Sequence, residues 1–239
     1  MRVLYISRPT LLSVPGGDTI QMLKTKEYLE KGYDVYIDIW DGKAQINYTD
    51  YDLIHFFNII RPNNILPHLK ANIPYVVSPI YVDYSEYDQS VRGGKAAKVA
   101  RIFGKNRSEY LKSMMRWLKN GERPGSIKYI LCGHKKAIKK ILKSTSVVLA
   151  NSQSELNRLK SDFSFDSESI IVPNATDLDE LKIDSKREGV ICVARIEGLK
   201  NQLNLIRAIK RTDLHLTIIG KASPNHKAYF KQCLSLIHI

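Results

Sequence analysis

Apolar residues gather in short runs along the chain, separated by longer stretches in which they recur at helical spacing. Val3-Leu4-Tyr5-Ile6-Ser7 reads as a buried strand, and the loop after it ends in Pro15-Gly16-Gly17-Asp18. Ile20, Leu23, Tyr28 and Leu29 then trace one face of a helix, with Asp18 or Thr19 as its N-cap and Gly32 as its stop. Alternation of Val35, Ile37 and Ile39 predicts a strand from Tyr33 to Ile39. Further strands are expected at Leu53–Phe57, Tyr75–Ser78 and from Ser146 to Ala150, with a last one from Ile170 to Asn174. Strands alternating with helices imply a parallel sheet with crossovers, the doubly wound α/β architecture.

The pattern then restarts. A polar stretch, 176–188, reads as a linker, and Gly189-Val190-Ile191-Cys192-Val193-Ala194 is a new buried strand. A helix from about Asn201 to Arg211 carries Leu203, Ile206 and Ile209 on one side, and a strand from Leu214 to Ile219 stops at Gly220. A doubly wound domain takes ~100 residues or more, so the second unit is expected to be only partly present and the chain to be a fragment. Leu234-Ser235-Leu236-Ile237-His238-Ile239 reads as the in-frame translation of a transposon-end sequencing adapter. The expected organisation is a first domain over 1–175, the linker, the start of a second domain over 189–233, and adapter-derived sequence over 234–239.

Charge adds a second feature. The 239 residues carry a formal net charge of +13, from 37 Lys and Arg against 24 Asp and Glu. Between Val91 and Lys143 stand sixteen basic residues and only two acidic ones, Glu109 and Glu122, so the remainder is close to neutral. Leu111, Met114, Met115, Trp117 and Leu118, and later Ile138, Ile141 and Leu142, recur among those cations at helical intervals. A basic helical insertion over about 91–143 suits an anionic membrane surface, or it is a solvated insertion packed on the domain. No helix-turn-helix, zinc-finger or RNP-like pattern organises base contacts, so no nucleic-acid partner is expected. Cys132, Cys192 and Cys233 are odd in number and scattered, which argues against a disulfide framework or zinc site and for a reducing compartment. No apolar run reaches the length of a membrane span. The expected location is cytoplasmic, with peripheral contact at the inner face of a membrane.

Three local features carry chemistry. Gly16-Gly17 lies between the first strand and first helix, where backbone N–H groups can hold an anion, although it lacks the G-x-G-x-x-G spacing of a dinucleotide fingerprint. Arg195 and Lys200 flank a short loop at a strand-to-helix switch, the place where ligands bind in open α/β sheets. Two cations there can neutralise a diphosphate and stabilise it as it leaves. Third, the run Val147-Val148-Leu149-Ala150-Asn151-Ser152-Gln153-Ser154 ends a strand in a hydroxyl- and amide-rich cap, and Ile171-Val172-Pro173-Asn174 follows after a helix.

The order of these features resembles the GT-B retaining glycosyltransferases of the "group 1" (family four) type, most specifically over ARIEGLKNQLNLIRAI. The resemblance implies a GT-B fold of two Rossmann-like domains. It further implies transfer of a sugar from a nucleoside-diphosphate sugar to a cell-surface polysaccharide or lipid-linked acceptor, with retention. By the same resemblance Arg195 and Lys200 are similar to the donor-diphosphate ligands, and Gly16 and Gly17 to the loop near donor phosphates and acceptor. Asn174 matches the interdomain strand, although Ala175 and Thr176 replace the family's usual Gly and apolar residue. After Tyr75–Ser78 the family's His is missing, so Asp83 and Tyr81 are the residues left near the acceptor, either in that role or as loop residues. His55 is expected to be structural. The family's E-x7-E pair has no counterpart here, so catalytic residues stay unassigned and the chain is expected not to turn over substrate alone. No cofactor or metal is expected. A nucleotide-sugar 2-epimerase of the same fold, or a non-catalytic basic module for membrane or RNA, are the alternatives.

Overall fold

The computed structural model describes residues 1–11, 15–82, 127–176, 188–222 and 226–237. Asp83 and most of the basic segment, 91–126, lie outside them. Two compact units are formed, one from the described residues up to 176 and one from those beyond 188.

The first unit is a six-stranded parallel sheet of β1 (Arg2–Ile6), β2 (Tyr36–Ile39), β3 (Leu53–Phe57), β4 (Tyr75–Ser78), β5 (Val147–Ala150) and β6 (Glu168–Ile171). Its strand order is β2-β1-β3-β4-β5-β6. The central strands are apolar at nearly every position because both faces are covered. On one face Val3, Tyr5, Ile37 and Phe57 pack with Met22 of helix α1 (Gly17–Gly32). On the other, Leu4, Ile6, Ile54, Phe56 and Val77 meet Ile138, Ile141 and Leu142 of α2 (Ile127–Ser144) and Leu156, Leu159 and Phe163 of α3 (Gln153–Phe163). The Tyr75 hydroxyl fixes α2 to the sheet by donating to the Ile141 carbonyl at 2.7 Å, and burial pushes that phenol up to about 12. Within α2 the backbone breaks at Gly133, whose φ is +74°.

Helix α1 departs from expectation. Its buried residues are Thr19 and Met22, whereas Ile20, Leu23 and Tyr28 are exposed. Gly16, not Asp18 or Thr19, is the N-cap: Asp18 is paired with Arg8, and Thr19 stands three residues into the turn with its hydroxyl accepting the Gly16 N–H. β6 also begins two residues earlier than expected and ends before Pro173, a residue without the N–H a ladder needs.

The second unit pairs β7 (Val190–Val193) in parallel with β8 (Leu216–Ile219). Leu216 and Ile218 turn toward Ile206 of α4 (Gln202–Ile209) and Cys233 of α5 (Lys227–Leu234), while Ile191, Val193 and Ile219 are exposed on the other face. Among the described residues no helix is long and apolar enough to cross a membrane.

Candidate functional site

In the first unit the carboxyl ends of the strands collect polar groups. Arg8, just beyond β1, grips Asp18 in the first turn of α1: Nε donates to Oδ2 at 2.7 Å and Nη2 to Oδ1 at 3.0 Å. Both side chains are nearly enclosed. Nη1 also donates to the carbonyl and hydroxyl of Thr10, at 3.0 and 3.1 Å. Burial pushes the Asp18 carboxyl up. The Arg8 hydrogen bonds and charge, the Thr19 N–H and Asn58 together outweigh that and hold it below the ordinary carboxylate range.

This pair gives Gly16 a packing reason. A Cβ there would sit 2.9 Å from Asp18 Oδ1, while one on Gly17 would meet nothing within 4 Å. Thr19 closes the turn, its hydroxyl accepting from the Gly16 N–H at 3.0 Å and donating to the Leu11 carbonyl at 3.2 Å. Of the two glycines, Gly17 is the one whose bareness no neighbour among the described residues explains.

Glu155 organises the next two strand ends. It is buried, accepting the Tyr81 N–H at 2.5 Å on one oxygen and the Asn151 N–H at 2.6 Å on the other. The Ser152 hydroxyl accepts the Glu155 N–H, so Ser152-x-x-Glu155 is a capping box shifted by one residue at its return bond. That spacing was the signal for Glu155 in the sequence. Tyr81 belongs to the same framework: its hydroxyl donates to Asp162 at 2.5 Å and its ring packs on Phe163. Gln21 of α1 donates to the Asn151 side chain at 2.8 Å.

His55 is fully buried, bonded to the Ser78 hydroxyl at 2.8 Å and stacked on Phe57, and burial pushes it down to about 3. It is a neutral structural residue, as expected. Asn174 is exposed beyond β6.

Helix α2 separates its residues cleanly. Lys135, Lys136, Lys139, Lys140 and Lys143 are exposed, and His134, Ala137, Ile138, Ile141 and Leu142 are buried. At 100° per residue the lysines span an arc of about 140° opposite the buried set. Of the two alternatives for the basic segment, this helix follows the packed one: its apolar side is part of the core.

In the second unit Arg195 leaves the carboxyl end of β7, exposed, with Nη2 3.7 Å from Glu197 Oε1. Lys200 closes a 3-10 turn over Gly198–Lys200 and is exposed. Asn201, at φ +56°, caps α4. Beneath the loop Gln202 is wholly buried: its amide donates to the Arg195 carbonyl at 2.9 Å and its Oε1 has no partner among the described residues. Among the described residues no His, Cys, Asp and Glu side chains gather as a metal-binding group.

No protein-family model matches the chain, and no curated protein matches it. Its fold is similar to that of sucrose-phosphate synthase from Thermosynechococcus elongatus, with a TM-score of 0.61 and 12% identity. The match covers 97% of this chain but 65% of the synthase, so the chain spans about two thirds of that protein's length. The fold is of the GT-B class. Glycyrrhiza uralensis UGT73P12, solved with glycyrrhetinic acid 3-O-monoglucuronide, matches over 98% of this chain and 67% of its own at 12% identity, with a TM-score of 0.43 too low to carry weight. At such identity the likeness is one of fold.

Proposed function

We propose that the chain is the acceptor-side domain and the beginning of the nucleotide-sugar domain of a GT-B glycosyltransferase. Its reaction moves a sugar from a nucleoside-diphosphate sugar to a polysaccharide or lipid-linked acceptor, with retention. The observation that carries the reading is the exposed pair Arg195 and Lys200 flanking the β7–α4 loop of a GT-B fold. Charge developing on a departing diphosphate is stabilised by such fixed cations, and their two positive charges take the place of a metal ion in this scheme.

Gly17 supports the acceptor side. The N–H groups of Gly17 and Asp18 have no acceptor among the described residues, and the backbone there is open to a ligand. Asn174 is exposed at the end of the unit, and Asp83 stays within the proposal as a cleft residue. Peripheral binding to an anionic inner membrane face belongs to the same reading. The lysine stripe of α2 supports it as an electrostatic contact, since the apolar side of that helix is occupied.

The test is a panel of uridine, guanosine and adenosine diphosphate sugars titrated into the chain. Saturable binding of one of them, weakened by Arg195→Ala and by Lys200→Ala, supports the reading; a panel without binding removes it.

A further inference from the structure

The register of β7 on β8 sets two cations side by side. Ile191 is paired with Thr217 and Val193 with Ile219. The bridge between Ile196 and Ala222 keeps the same offset beyond the strand ends. Arg195 therefore stands opposite Lys221. Backbone bonds on either side hold it there: Ala194 N–H donates to the Ile219 carbonyl at 3.0 Å and Ile196 N–H to the Lys221 carbonyl at 2.9 Å. Neighbouring strands lie about 4.8 Å apart. Along β7 exposed positions, Ile191, Val193 and Arg195, alternate with less exposed ones, and Thr217, Ile219 and Lys221, two residues apart on the neighbouring strand and its extension, are exposed too, as is the side-chain-less Gly220 between the last two. Both cations thus leave the same open face.

Like charges directly opposite each other weaken strand pairing, and little protein charge relieves this pair. Arg195 has Glu197 at the long distance of 3.7 Å, with its own side chain 57% exposed. Lys221 has no side-chain hydrogen bond or ion pair to any described residue. Slippage does not separate them either. A Cβ on Gly220 would lie 1.8 Å from the Ala194 carbonyl oxygen, so the backbones are pressed together between the two cations. Such a pair, fixed at the carboxyl end of a parallel sheet, is arranged for an anion that both can reach.

We propose that Lys221 is a binding residue for the same diphosphate as Arg195, a third cation beside Lys200. The inference rests on the donor reading of the Arg195–Lys200 loop and adds a residue from the neighbouring strand. The guanidinium fork suits two oxygens of one phosphoryl group, and the ammonium serves as a point charge for the next. The ligand chemistry is a diphosphate, free or esterified to a nucleoside.

The experiment is calorimetric titration of the chain with inorganic pyrophosphate and with uridine, guanosine and adenosine diphosphates. Salt at about 0.3 M screens the diffuse attraction of the basic chain. Lys221→Ala is expected to weaken pyrophosphate binding by about tenfold, the effect of one charge-assisted contact, while Lys221→Arg restores most of it. Lys210→Ala, at an exposed position past the end of α4, leaves binding unchanged. Without ligand, Lys221→Ala melts no lower than the unaltered chain, since it removes a repulsion, which separates lost binding from lost folding. Tighter binding of one nucleotide than of pyrophosphate marks the esterified ligand; equal binding marks the free one. If Lys221→Ala binds as the unaltered chain while Arg195→Ala is weakened, the Lys221 inference fails and the donor reading stands. If neither substitution matters, or the unaltered chain binds none of these anions, both fail.

Discussion

Arg8 and Asp18 form a two-point ion pair that ties the exit of β1 to the first turn of α1, with bonds of 2.7 and 3.0 Å. It sets the shape of the glycine loop, since Gly16 is bare where Asp18 crosses it. Removing either partner takes the two-point ionic contact from the other, which stays enclosed. Arg8→Ala is expected to cost about 2–3 kcal/mol, and Arg8→Lys a good part of that, because an ammonium cannot make the forked contact. Chemical denaturation of the variants measures it; a loss below about 0.5 kcal/mol, the level of an exposed pair, would contradict this assignment.

The same pair gives a pH dependence with a definite sign. Asp18 is held below its ordinary value in the fold, so its contribution is present above the unfolded carboxylate pKa and disappears as pH falls through the folded one. The acid limb of a stability profile should therefore flatten in Asp18→Asn.

Two buried histidines act earlier on the same limb. Burial pushes His55 down to about 3 and His68 down to about 4. Both are neutral when folded and charged when unfolded below about 6.5, so stability is full above that pH and falls below it. Each contributes a slope approaching about 1.4 kcal/mol per pH unit until its folded value is reached. His68→Gln should remove one such slope between about 6.5 and 4 in urea titrations at stepped pH. An unchanged profile would show that His68 is already protonated in the fold.

Glycines separate packing from chemistry. Gly220→Ala brings a methyl into the Ala194 carbonyl and is expected to cost more than about 2 kcal/mol in the second unit. Gly17→Ala meets open space and should fold with unchanged stability, while weakening any ligand that approaches the backbone there. Melting curves of the two variants, read beside nucleotide-sugar binding, check both statements.

Much of the architecture was legible because the central strands are short apolar runs bounded by polar loops. Leu53–Phe57 and Tyr75–Ser78 carry the expected bounds. The face of α1 was not legible. Ile20, Leu23 and Tyr28 have the right periodicity, yet Met22 fills the core and the buried Thr19 satisfies backbone groups. Periodicity counts apolar positions; it does not reveal that one long side chain suffices. Arg195 and Lys200 were visible because they lie on one local loop. Lys221 was not, since its relation to Arg195 exists only in the strand register, 26 residues away. Arg8 and Asp18 are ten positions apart, across a turn whose closure composition does not disclose. Glu155 holds two backbone N–H groups from the ends of neighbouring strands, a role that shows only once Tyr81 and Asn151 are brought to it by the fold.

The central claim is that the β7–α4 loop binds the diphosphate of a nucleotide sugar. The most direct measurement is the affinity of this chain, and of Arg195→Ala/Lys200→Ala, for the nucleotide sugar that binds best in the panel. The account predicts saturable binding that falls by at least about tenfold in the double variant, with melting temperature unchanged because both side chains are exposed. Equal binding by the two proteins would contradict it.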